Sequence, residues 1–242
     1  MSITYPVNLP TSIGIESIEL RAVNAVATSQ SPFTYKQQIV AHQGQRWEAS
    51  VSVPAVRRDL AAPWKAFLTS LKGQQGTFLL GDPDYVTARG KVSLGSPWFL
   101  QGGVWALGGE WDDSVSYDYV PPEGELTAAP SVSGNQSANS DTLVISGFSP
   151  SVSGVFLAGD YIQLGSASSA QLYQVLQDAS SNSSGEITLD IWPNLRTNVV
   201  DGAPVVVDSP KGIFRLANNI SSWSINNSSA YGITFEAVEA LV

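Results

Sequence analysis

Few residues in this chain have chemistry to offer. There is one histidine, His42, and no cysteine. Two groups of acids lie close in sequence: Asp82 and Asp84 in "LKGQQGTFLLGDPDY", and Asp112, Asp113 and Asp118 in "EWDDSVSYDY". Paired carboxylates hydrolyse glycosidic bonds when they face each other across about 5–9.5 Å, with one kept protonated by burial. Asp82 and Asp84 stand two apart around a proline, which is the pattern of a turn whose acid caps the following backbone. Asp112, Asp113 and Asp118 sit among aromatic residues, as acids do in sugar-binding grooves. These acids cluster in turn-like stretches with Gly, Pro and Ser, where water solvates them. His42 lies in "VAHQGQ", which reads as an exposed turn. A Ser-His-Asp triad would have to use it, and no "GxSxG" elbow is present. The missing cysteines remove thiolate chemistry and Cys-based metal sites. An all-carboxylate calcium site stays open, but "DDSVSYD" lacks the acid spacing and glycine of an EF-hand loop. A phosphate-binding loop needs a strand, then glycines, then a helix opening on Lys and Ser or Thr. In "LKGQQGTFLL" a helical run precedes the glycines and a strand follows. The residues therefore point to no enzyme, no metal and no cofactor.

The elements around these residues are mostly strands. In "PFTYKQQIVAHQGQRWEASVSVPAV", Phe33, Tyr35, Gln37 and Ile39 share one parity, and Trp47, Ala49, Val51 and Val53 share another. The run reads as a long hairpin turning at "HQGQ", with Gly44 as the permissive residue. "SIELRAVNAVAT" reads as a strand before it. "DLAAPWKAFLTSLKG" reads as the one clear helix, with Leu60, Trp64, Phe67, Leu68 and Leu71 on one face. Asp59 is its expected N-cap and Gly73 its stop. Pro63 is expected in the first turn or so, and Lys65 and Lys72 away from the stripe. Thr77 to Leu80 reads as a short buried strand, followed by a turn over Gly81 to Asp84.

From Trp98 the texture changes. "PPEGE" and "SGNQSANSD" have linker composition. Five short strands follow in "DTLVISG", "AGDYIQLG", "QLYQVLQD", "EITLDIWP" and "APVVVDS", with the look of a small closed barrel. Longer strands return at Ile213 to Leu216 and Ile233 to Val238. The expected fold class is mainly β: a body of residues 1–97 and 210–242 with one helix, interrupted at 98–209 by a small OB-like or SH3-like barrel behind a Gly/Pro/Ser-rich lead-in. The last strand is expected to pair back into the N-terminal sheet.

The chain's 242 residues suit one large β domain or two smaller ones. Charged residues make up only 14%, well under the usual quarter. Such a surface suits contact with other subunits better than free diffusion. The net charge of −9 carries no basic cluster, which excludes non-specific nucleic-acid binding. An acidic field still suits a lumen through which DNA slides without sticking. No apolar run approaches the ~20 residues of a membrane span, and "MSITYPVNLP" lacks the basic and apolar regions of a signal peptide. Synthesis in the cytoplasm is the expectation. Trp47 and Trp64 fall on expected core faces. Trp98, Trp105 and Trp111, with Tyr117 and Tyr119, lie in a Gly-rich segment without periodicity. Their exposure as a partner or glycan contact and their burial under the barrel stand level.

"RWEASVSVPAV", "APWKAFLTSLKGQQGTFLLGDPD", "GDYIQLG…LYQVLQD…EITLDIWPNLR" and the closing "ITFEAVEAL" together resemble the distal tail proteins of long-tailed, siphovirus-like bacteriophages. The resemblance spans nearly the whole chain and is most specific from Trp64 to Asp84. It implies a tail-tube-like β-sandwich or barrel body that forms a homohexameric ring, and a barrel that projects outward. It implies a structural virion protein of the baseplate or tail tip, assembled in the host cytoplasm. The implied partners are copies of itself, the tail tube protein, the hub and tape-measure proteins, and tail fibres, with no sequence-specific nucleic acid and no membrane insertion. A carbohydrate-binding module for host surface glycans is the alternative, with Trp98, Trp105 and Trp111 as its surface.

Overall fold

The computed structural model describes residues 3–92 and 126–241. Within them the chain is mainly β, with one α-helix and a nearly closed barrel. In chain order the first elements are β1 (Ser17–Gln30), β2 (Gln37–Val56), α1 (Arg58–Ser70) and β3 (Phe78–Leu80). Then come β4 (Leu126–Val132), β5 (Thr142–Phe148), β6 (Tyr161–Leu164), β7 (Gln171–Val175), β8 (Ile187–Trp192) and β9 (Val205–Val206). The chain ends in β10 (Gly212–Leu216), β11 (Trp223–Ile225) and β12 (Tyr231–Glu239). One sheet runs β1-β2-β12-β10-β3, with β11 also on β12; the other runs β4-β5-β8-β7-β6-β9. The second sheet curls until its ends meet. Ser131 bridges Pro204, and the Val132 N–H donates to the Ala203 carbonyl at 2.8 Å.

The body forms because two periodicities meet. Along β2, Trp47, Ala49, Val51 and Val53 are buried while the residues between them face outward, the period of two of a half-covered sheet. Along α1, Ala61, Trp64, Phe67 and Leu68 are buried, and Leu71 continues the stripe past its end. The two faces close over Phe78, Phe214 and Phe235; Trp64 and Phe67 lie edge-on at 5.9 Å, as do Phe67 and Phe78 at 5.4 Å. β12 returns from the chain's end to pair antiparallel with β2, with Phe235 opposite Val51. β3 joins β10, and Leu80 lies opposite Gly212. Gly81 then passes so close to the Pro210 carbonyl that a side chain there would collide with it.

The barrel has a core of its own, built on Leu143, Ile145, Phe156, Ile162, Tyr173, Leu189 and Ile191. Ala88 and Val92 already belong to it. The Val92 N–H donates to the Val155 carbonyl, and the backbone of Arg89 and Gly90 bonds the buried carboxylate of Asp160. The barrel is seated on the body through Trp47. Its indole N–H donates to the Leu172 carbonyl at 3.0 Å, and its ring lies edge-on to Trp192 at 4.5 Å.

Several local expectations need correction. The hairpin does not turn at His42–Gln45. β2 runs unbroken through those residues, and the turn is Ser31–Lys36, with β1 as the other arm. There the Ser31 N–H bonds the Lys36 carbonyl, and Tyr35 takes a φ of 55°. Gly44 serves a bulge instead. Pairing steps from Asn24↔Gln45 to Val26↔Ala41, so β2 carries extra residues opposite Ala25. A Cβ on Gly44 would stand 3.0 Å from that of Ala25. At the helix, Arg57 occupies the N-cap and Asp59 lies in the first turn, where its charge suits the dipole. Pro63 falls in the second turn. Leu60 shares the stripe's direction but is 44% exposed, because Ala61 and not Leu60 meets the sheet. Lys65 does not point freely away; its Nζ lies 4.3 Å from the centre of the Tyr231 ring. "SGNQSANSD" is no free linker: the Asn139 N–H donates to the Leu195 carbonyl, and Gln136 bridges Val199.

Candidate assembly surface

Among the described residues, those singled out for chemistry do not converge. Asp82 is occupied within its own turn, where Oδ1 accepts the Asp84 N–H at 3.0 Å. His42 is exposed on the outer part of β2, whereas Asp82 borders a pocket lined by Ile18, Leu20 and Tyr161. Trp98, Trp105, Trp111, Tyr117 and Tyr119, and with them Asp112, Asp113 and Asp118, lie outside the described residues. Among the described residues, no group of three His, Asp or Glu side chains could hold a metal ion.

The acids that are buried serve the fold. Asp160 accepts backbone N–H groups from Arg89, Gly90 and Leu157. Glu239 accepts the Trp47 N–H at 3.0 Å and the Arg196 guanidinium at 2.6 Å. Beside it, burial pushes the Tyr173 phenol up to about 12, while the Arg196 N–H bonded to its Oη acts the other way. A cleft of about 680 Å³ borders this pair, lined by Leu164, Val199, Ile213 and Leu241. Its two charges, Arg196 and Glu239, pair with each other.

The feature with no internal use is the outer part of the β1–β2 ribbon. From Asn24 to Gly44 every residue except Ser31 is exposed. Here the ribbon has left the body, and among the described residues neither of its faces meets a core. Its large apolar side chains are bare: Phe33 is 93% exposed, Tyr35 75% and Ile39 61%, with Val26 and Val40 close behind. Lys36 is the single formal charge in this stretch. A lone two-stranded ribbon is marginal in water. An uncharged edge strand such as this part of β1, with its outer N–H and C=O groups unpaired in the sheet, is a template for another strand.

Nearer the body the outward face is polar. Arg21 pairs with Glu19 at 2.8 Å and lies opposite Glu48, which pairs with Arg46. Glu236 shares that face with Ser50 and Ser52. The arginine guanidinium holds the Glu19 carboxyl below the usual carboxylate range. The surface thus combines a charged, solvated base with an apolar tip whose single charge is Lys36.

The sequence signal for this tip was available. "SQSPFTYK" places Ser-Pro between two strand-like runs, a turn initiator. Read that way, the same residues give two long arms and no core partner for the outer half. No family model matches the chain, and no curated protein matches it.

Proposed function

We propose that this chain is a ring-forming structural subunit of a bacteriophage tail tip, a distal tail protein that joins the tail tube to the hub and fibres. One observation carries the reading: a ribbon of about twenty exposed residues, apolar at its tip and nearly free of charge, that has no sheet partner outside itself among the described residues. Such a surface calls for a protein partner. A ring of identical copies supplies it by head-to-tail contacts between two different patches. The low charge of the whole chain and the resemblance of its body segments to tail proteins agree with this. The polar base of the sheet, with its paired Glu and Arg side chains, suits a wall that faces water or passing DNA without holding it. The role is structural and not catalytic.

The experiment is assembly. Purified protein is imaged by negative stain and weighed by mass photometry, alone and with tail tube and hub proteins. Closed rings are the expected result. A monomer under all of these conditions overturns the reading.

A further inference from the structure

The ribbon leaves the body at its bulge, and the barrel touches it at that point. The Trp192 indole N–H donates to the Asn24 Oδ1 at 2.8 Å, and the Asn194 N–H donates to the Gln45 Oε1 at 2.7 Å. Asn24 and Gln45 are the last paired residues before the register shifts. The end of β8 and the residues just after it therefore hold both arms of the ribbon. The same Trp192 packs edge-on against Trp47, the first buried residue of β2 below the bulge.

A bulge bends a strand pair and increases its twist, so a two-stranded ribbon beyond one has no direction fixed by its own ladder. A sheet neighbour or a core would normally fix it. Among the described residues neither is present beyond Asn24, where β1 and β2 pair only with each other. Two hydrogen bonds, from Trp192 and Asn194, cross from the barrel to this junction.

We propose that the barrel segment Trp192–Asn194, at the end of β8, is a brace that sets the angle at which the β1–β2 ribbon leaves the body. The barrel is then more than a projecting module; it positions the surface that meets neighbouring copies. That purpose rests on the assembly reading above, but the brace itself is a property of the single chain.

The absence of native cysteine makes the test direct. Spin labels are placed at Thr34→Cys on the ribbon's turn and Ser183→Cys on the barrel, both exposed positions. Labelled chain is diluted into unlabelled protein so that only distances within one chain are read. The parent is expected to give one narrow distance. Trp192→Phe with Gln45→Ala keeps an aromatic ring against Trp47 but removes one donor and one acceptor; it should lose that narrow peak for a broad distribution. Asn24→Ala, an exposed change that leaves the core intact, should broaden it in the same sense. Unchanged narrow distances in both variants overturn the brace. Mass photometry of the same samples separates the two readings. Broadened distances with rings intact leave the brace standing and count against the ribbon as the ring contact.

Discussion

Glu239, on the last strand of the chain, lies 2.6 Å from the guanidinium of Arg196 in the barrel, and both side chains are largely removed from water. The same carboxylate accepts the backbone N–H of Trp47. One acid thus ties the chain's end, the barrel and the base of the ribbon together. The pair bridges two elements that are folded around separate cores.

Breaking that pair on one side should be costly. Glu239→Ala leaves the Arg196 charge and the Trp47 N–H without their acceptor. A buried pair broken on one side costs about 3–5 kcal/mol. Denaturant midpoints are expected to fall accordingly. In the double variant Arg196→Met/Glu239→Ala the loss should be smaller than in Glu239→Ala alone. A midpoint equal to the parent's in Glu239→Ala would show that the seam is not held by this contact.

Trp64 anchors the helix to the sheet. It is buried between Phe67 and Phe235, and its indole N–H reaches the Ile13 carbonyl at 3.3 Å. Trp64→Ala should destabilise by about 3–5 kcal/mol, the usual loss for a large buried aromatic. Thermal unfolding reads this directly, and an unchanged Tm would contradict the packing described.

The ribbon tip should behave in the opposite way. Phe33→Ser with Ile39→Ser removes apolar surface that touches no core. The stability of the single chain should stay within about 0.5 kcal/mol of the parent. Ring formation, read by mass photometry, should fall sharply. Full assembly of this variant would place the contact elsewhere.

Alkaline pH should loosen the barrel seam. Burial raises the Tyr173 phenol to about 12, against about 10 for the same group in the unfolded chain. A folded-state pKa above the unfolded one means that this contribution to stability is fully present below pH 10. It is lost as pH rises from there towards 12, because the unfolded chain gives up its proton first. Burial raises the Tyr161 phenol as well, so the decline is shared. Tyr173→Phe should therefore flatten the fall in Tm above pH 10 without abolishing it. An equally steep fall in that variant would remove Tyr173 from the account.

What the sequence by itself determined was local. The alternation from Trp47 to Val53 and the stripe from Trp64 to Leu71 follow from the two side-chain periods, so the buried faces of β2 and α1 could be read directly. Five short strands of the barrel, β5 to β9, were legible from their sequence; β4, Leu126–Val132, lies in the stretch read as lead-in and was not. Their turns are polar, and Leu143, Ile145, Leu189 and Ile191 alternate as a closed wall requires. The Asp82–Asp84 turn was legible from its proline and its acid.

What only the tertiary structure decided was which elements meet. Gly44 has one meaning in a two-residue turn and another in a bulge, and only the arrival of β1 opposite Ala41–Gln45 distinguishes them. Leu60 and Ala61 both suit a helical stripe; the sheet's position chose Ala61. The same holds for the joining contacts. Asn24, Gln45, Trp192 and Asn194 are far apart in the chain, and nothing local in "RAVNAV" or "IWPNLR" announces that they bond. Side-chain period and turn chemistry act over a few residues. Strand pairing and the Arg196–Glu239 seam are set by packing between segments whose separation in sequence carries no local signal.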